Sequence, residues 1–99
     1  VVGLTKQQLD ICDAQDVYLA LSFYKPEIII NCAAFTNVDN AENHQEVCRL
    51  VNSHGTENLA LSAKKINSAF VTISTDYVFD GAKGDFYTQR DSPNPQGVY

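Results

Sequence analysis

The sequence predicts an α/β fold built on a parallel sheet, and three observations carry that expectation. Two runs, "EIIINCAA" (27–34) and "SAFVTIST" (68–75), are apolar or β-branched through their middles, as strands within a covered sheet are. Stretches with apolar residues at helical spacing separate the candidate strands. Strands joined through helices imply right-handed crossovers and parallel pairing.

Taken in order, Val1–Leu4 reads as a short buried strand and "QLDI" (8–11) as a second brief one. Asp13 sits where a helix cap belongs, ahead of a helix over about 14–25 with Val17, Leu21 and Tyr24 on its apolar side and Pro26 as its stop. The run 27–34 follows as a central strand covered on both faces. Asp39 with Glu42, then Asn43 with Glu46, each match the pattern in which a cap and a glutamate three residues on satisfy two backbone donors.

The second of these signals opens the longest helix, about 44–66, with Val47, Leu50, Val51, Leu59 and Ala63 in helical register. Gly55 inside it costs roughly 1 kcal/mol. It serves either a close approach by another group or no purpose beyond a neutral surface position. After the strand at 68–75, residues 80–97 carry three of the five glycines and two of the three prolines, which marks a long loop, with Asp80-Gly81 as a turn.

Composition narrows the function classes. At 99 residues the chain has room for one domain. Its 44% hydrophobic and 19% charged content is ordinary for a globular protein, and no run is long enough to span a membrane. A formal charge of −5 without any block of lysine or arginine argues against a nucleic-acid partner. Cys12, Cys32 and Cys48 match no metal spacing and cannot all pair with one another, so they are expected to be reduced in a cytoplasmic protein. The chain begins inside an apolar run and stops after "SPNPQGVY", so it is expected to be a piece of a larger fold.

In parallel α/β sheets ligands bind outside the carboxyl ends of the strands. That rule selects Thr5-Lys6, Asp10-Ile11, "NCAAFT" (31–36) and "STDY" (74–77).

Those places lie within the strings "LDICD" (9–13), "INCAAFTNVDNAE" (30–42), "VNSHGTENLA" (51–60), "STDYVFDG" (74–81) and "PNPQGVY" (93–99), which together resemble the extended short-chain dehydrogenase/reductases and, among them, the dTDP-4-dehydrorhamnose reductase family. The resemblance implies a partial Rossmann-type doubly wound parallel sheet lacking its first strand, with residues 1–99 as a partial dinucleotide-binding domain. It departs from the family in two ways. None of the five glycines forms the glycine-rich turn that cradles a dinucleotide pyrophosphate, and the family's lysine four residues after the tyrosine falls past Tyr99. The missing strand belongs in the middle of the sheet. The early strands are therefore expected either to fail to pair with the later ones or to leave a slot that a second copy could fill, making a homo-oligomer.

The resemblance also implies roles. Asp10 and Ile11 would take the adenine of NADPH or NADH, and Ala33, Ala34, Phe35 and Thr36 would let the cofactor approach the backbone. Asn52 and Ser74 would face the same cofactor. A hydroxyl and an ammonium at Thr5 and Lys6 suit a 2′-phosphate, which favours NADPH. Val38, Thr75 and Asp76 would contact a nucleotide-sugar substrate. Thr75 would hydrogen-bond the ketone oxygen and Tyr99 would supply its proton. A phenol is a poor acid at neutral pH without a nearby cation. If Tyr99 is the last residue, its carboxylate would work the other way. The implied reaction is NAD(P)H-dependent reduction of dTDP-4-dehydro-rhamnose to dTDP-rhamnose, with the 99-residue chain silent by itself. A rival expectation is a non-catalytic regulatory relative resembling the methionine adenosyltransferase β subunit. A sugar-nucleotide epimerase is disfavoured, since that group carries a different serine-rich string at this strand. His44 and His54 are expected at the surface.

Overall fold

The structure is a computed structural model that describes residues 1–99. Helix α1, Ala14–Tyr24, starts where Asp13 accepts hydrogen bonds from the backbone N–H groups of Gln15 at 2.9 Å and Asp16 at 3.0 Å. It ends at Lys25, whose backbone enters the left-handed region (φ 46°) while its N–H closes on the Leu21 carbonyl. Pro26 then forbids a further helical turn.

Two strands follow at the expected places. β1, Ile28–Asn31, and β2, Ala69–Thr72, pair in parallel with Ile29 opposite Phe70 and Ile30 opposite Val71. The crossover between them holds a short helix α2, Val38–Ala41, and then a continuous helical rod. That rod comprises α3, Gln45–Arg49, a π-helical turn over Leu50–Gly55, and α4, Thr56–Lys65. The expected single helix over 44–66 is thus present, with a wider turn in its middle that its apolar spacing does not announce.

Helices α1 and α4 cover one face of the sheet. Val17 and Leu21 from α1, Ile29 from β1, and Leu59 and Ala63 from α4 form the buried core, with Leu9, Ile11, Ile66 and Phe70 packed at its margin. The opposite face is bare. Ile28 and Ile30 are 60% and 64% exposed, so β1 is covered on one face and has one neighbour, rather than lying central and doubly covered as its uniform apolarity suggests.

The two early strands are not formed. Residues 5–8 make a turn in which the Gln8 and Leu9 N–H groups donate to the Thr5 carbonyl, and a second turn brings the Asp13 N–H to the Asp10 carbonyl. A strand is stable only when its backbone finds a ladder partner, and none lies beside Val1–Leu4 or 8–11. The sheet has only the order β1-β2, so the early segments do fail to pair with the later strands.

The capping expectations also change. Asn37, not Asp39, caps α2 by accepting from the Asn40 N–H at 3.0 Å, which places Asp39 inside the first turn. His44 precedes α3 without a side-chain bond, so Asn43 and Glu46 form no reciprocal cap. The long loop after β2 does form around Asp80-Gly81. Gly81 has φ +76°, and the Asp80 carboxylate accepts from the Ala82 N–H at 2.9 Å, from the Tyr87 hydroxyl at 2.9 Å and from the Asn94 amide at 2.9 Å. No helix is long and apolar enough to cross a membrane.

Candidate active site

The carboxyl end of β1 is set by Asn31, which is 5% exposed at the end of an otherwise apolar strand. Its amide donates to the hydroxyls of Thr56 at 3.3 Å and Thr72 at 3.2 Å, and its oxygen accepts from the Ala33 N–H at 3.0 Å. One side chain therefore ties β1 to β2, to α4 and to the loop that leaves the sheet. A polar group so buried must be paired to be tolerated.

Beyond Asn31 the chain runs through Cys32, Ala33 and Ala34 to Phe35, and Asn52 holds that run from the π-helical turn. The Phe35 N–H donates to Asn52 Oδ1 at 2.7 Å, and Asn52 Nδ2 donates to the Phe35 carbonyl at 3.1 Å. The side chain expected to face a cofactor thus spends its oxygen and an N–H on the backbone of the loop.

Two grooves meet at this loop. The larger, about 720 Å³, is mainly apolar and brings Thr5, Lys6 and Ile11 together with Ala33, Ala34 and Phe35 along the open edge of β1. The smaller, about 500 Å³, gathers Ala33, Ala34, Thr36, Asn52, Ser74, Thr75 and Tyr99 between the ends of the two strands. Nine of the twelve sequence candidates, counting Thr75 once, line one groove or the other. Asp10, Val38 and Asp76 line neither groove.

Thr75 ends the β2 segment as the cap of a 3₁₀ turn over Asp76–Val78. Its Oγ accepts from the Tyr77 N–H at 3.2 Å and donates to Asp76 Oδ1 at 3.4 Å. Tyr99 is half-buried, with its ring edge-to-face against Tyr77 at 6.0 Å between centroids. The N–H of Val98 is held by Glu42 Oε1 at 2.8 Å.

At the far end, the Asp10 carboxylate accepts from the Cys12 N–H at 3.0 Å, which holds its pKa below the usual carboxylate range, with the Cys12 thiol and Lys6 adding to the effect. Partial burial, and then the neighbouring Asp10, push the Cys12 thiol up. Asn58 on α4 donates to the carbonyls of Ile11 at 3.0 Å and Cys12 at 3.3 Å. Gly55 makes room for the same segment, because a Cβ there would lie 2.6 Å from the Ile11 side chain. Of the two purposes open to Gly55, close approach is the one the fold uses.

Asn31 and Asn58 are not among the sequence candidates. An asparagine ending "IIIN" is a signal that could have been read, since a lone amide in an apolar strand needs partners. Asn58 gives no such signal, because its bonds run to residues 46 and 47 positions earlier.

A parallel α/β layer with grooves at the carboxyl ends of its strands defines a chain of the Rossmann-like fold class. The RmlD substrate binding domain family matches residues 1–99, and this chain belongs to it. The dTDP-4-dehydrorhamnose reductase of Clostridium acetobutylicum superposes with a TM-score of 0.98 at 39% identity, covering 100% of this chain and 35% of that one. The Bacillus anthracis dTDP-4-dehydrorhamnose reductase, solved in complex with NADP, gives a TM-score of 0.94 at 35% identity over 97% of this chain and 34% of that one. The Aggregatibacter actinomycetemcomitans dTDP-4-dehydrorhamnose reductase is 41% identical over 99 residues, 100% of this chain and 34% of its own length. The resemblance carried by the five strings is borne out. The chain spans about a third of the length of the curated relatives it matches.

Proposed function

We propose that this chain forms the reaction end of the cofactor-binding part of a cytoplasmic NAD(P)H-dependent reductase acting on dTDP-4-dehydro-rhamnose and giving dTDP-rhamnose. The observation that carries the reading is the convergence of Ser74, Thr75 and Tyr99 with the small residues Ala33 and Ala34 on one cleft. Those side chains come from the ends of both strands and from the far end of the 80–97 loop, so a bland turn would not need to bring them together.

A nicotinamide dinucleotide fits the residues present in part. Ala33 and Ala34 are exposed and line both grooves, so nothing bulky stands between the apolar groove beside Ile11 and the hydroxyl-lined cleft beside Thr75. Ile11 offers an apolar wall, and Thr5 and Lys6 offer a hydroxyl and a cation at the end of the same groove. No glycine-rich turn is present to cradle a pyrophosphate. When bound, the cofactor supplies the hydride that reduces a ketone. The protein's own residues manage the oxygen. Thr75 Oγ donates to it as charge develops, and Tyr99 delivers the proton.

The test is turnover. In a complete polypeptide carrying this segment, dTDP-4-dehydro-rhamnose and NADPH should give dTDP-rhamnose, and Tyr99→Phe should lower kcat by about 10²–10⁴-fold, the range for losing a general acid. Full activity in Tyr99→Phe would remove Tyr99 from the chemistry. Absence of any activity in the unaltered polypeptide would favour a binding role. The 99-residue chain alone is expected to oxidise no NADPH.

A further inference from the structure

Residues 95–99 reach the cleft with little to hold them. Apart from the Gln96 amide bonding the Asn94 carbonyl two residues back, their only hydrogen bond is the one from the Val98 N–H to Glu42 Oε1, at 2.8 Å and across 56 positions of sequence. The preceding loop is anchored separately, where the Asn94 N–H meets the Val78 carbonyl at 2.8 Å. From there the chain crosses to the end of α2, touches Glu42, and only then places the Tyr99 ring against Tyr77.

We propose that Glu42 is a positioning residue for Tyr99, its carboxylate fixing the backbone one residue before the phenol. This inference rests on the reductase reading for its consequence but not for its geometry. Three features support it. A carboxylate accepting a backbone N–H makes a charge-assisted bond, stronger than a neutral one. No lysine or arginine pairs with Glu42, so the charge is not committed to an ion pair. Gly97 is shaped to the contact, since a Cβ at that position would stand 3.2 Å from the same Oε1. A bulkier residue there would press on the oxygen that holds its neighbour.

Glu42 lies on the segment that follows the β1 loop, so the tether joins the two walls of the cleft. The wall carrying Ala33, Ala34 and Thr36 leads into α2 and Glu42, and the wall carrying Tyr99 hangs from Glu42 in turn. Glu42 touches no reacting atom in this role. It sets where the phenol stands, and misplacing a reacting group by about 1 Å can cost on the order of 10²-fold in rate.

The chain itself provides a readout that does not depend on catalysis. Proton NMR should show a slowed Val98 amide and contacts between the Tyr77 and Tyr99 rings. Glu42→Ala should lose both while the β1-β2 amides keep their protection. Glu42→Gln, which retains an acceptor oxygen, should keep both. Val98→Pro breaks the same bond from the donor side and should also lose the ring contact. If either folded variant, Glu42→Ala or Val98→Pro, keeps the Tyr77–Tyr99 contacts, there is no tether.

In the complete polypeptide, Glu42→Ala should lower kcat by roughly 10- to 100-fold with the KM for the dehydro-sugar nucleotide little changed, and Glu42→Gln should restore most of it. An unchanged kcat alongside a lost ring contact overturns the positioning role while leaving the reductase reading intact. An unaltered polypeptide that turns nothing over sinks the reductase reading and the catalytic consequence together, and the ring contacts alone then decide the tether.

Discussion

Asn52 holds the backbone of Phe35 at two points, accepting from its N–H at 2.7 Å and donating to its carbonyl at 3.1 Å. A side-chain amide thereby imitates the edge of a neighbouring strand for a loop that has none. Asn52→Ala would leave both Phe35 groups without their partner in a half-buried place, at a cost of about 1–3 kcal/mol. Asn52→Asp keeps the acceptor and loses the donor, so urea unfolding should rank it between the two.

Gly55 and Ile11 give a second stability test. Replacing a helical glycine with alanine normally gains about 1 kcal/mol. Here the new Cβ would come within 2.6 Å of both Cγ1 and Cδ1 of Ile11, so overpacking of about 1–3 kcal/mol should outweigh that gain. Gly55→Ala is expected to destabilise, and Ile11→Ala in the same chain to relieve much of the added strain. A double-mutant cycle with no coupling would contradict the contact.

These two relationships show where the sequence was legible. The cap at Asp13, the stop at Pro26 and the apolar runs of β1 and β2 are local signals; α1 stands within a residue of its expected bounds, while β1 and β2 each begin one residue late and stop three residues short of theirs. Val1–Leu4 and 8–11 carry the same local signal but lack a ladder partner, and a strand cannot supply its own. Glu42 misled for a related reason. Its spacing from Asp39 fits a cap, yet Val98 takes its carboxylate from the other end of the chain. The site strings at 31–36 and 74–77 were readable because they follow strands, whereas the bonds from Asn52 and Asn58 depend on how the rod lies across the sheet.

The loop between Phe79 and Asn94 should respond to acid. Asp91 Oδ2 accepts from Lys83 Nζ at 2.7 Å and from the Thr88 N–H and hydroxyl, and the Lys83 bond first, then the Thr88 N–H, hold its pKa down to about 2. An unfolded aspartate titrates near about 3.9. Because the folded value is the lower one, the contribution is fully present above about pH 4 and is lost as pH falls toward about 2. Asp91 carboxyl shifts followed by NMR should titrate in that lower range. Lys83→Ala should move the titration upward.

The Thr75 hydroxyl caps the 3₁₀ turn and, in the proposed reductase, would also serve the ketone oxygen. Thr75→Ser keeps a hydroxyl for the Tyr77 N–H and for a ketone oxygen, and should retain most activity in a complete polypeptide. Thr75→Val removes both, and loss of one oxyanion donor costs about 10²–10³-fold in kcat. Steady-state kinetics with KM measured alongside kcat would expose a binding defect in place of the expected rate defect.

The bare side of the sheet governs how this chain melts. Ten of 99 residues are buried, and the radius of gyration is 15.1 Å against about 13 Å for a compact domain of this length. Apolar surface already in water cannot be newly hydrated on unfolding. The heat-capacity increment should therefore fall short of the usual ~1.2–1.5 kcal/mol/K for about 100 residues, which would flatten the stability curve and broaden the calorimetric transition. Ile28 and Ile30 would then hold a share of the missing heat capacity in reserve, released only when some apolar surface lies down on them.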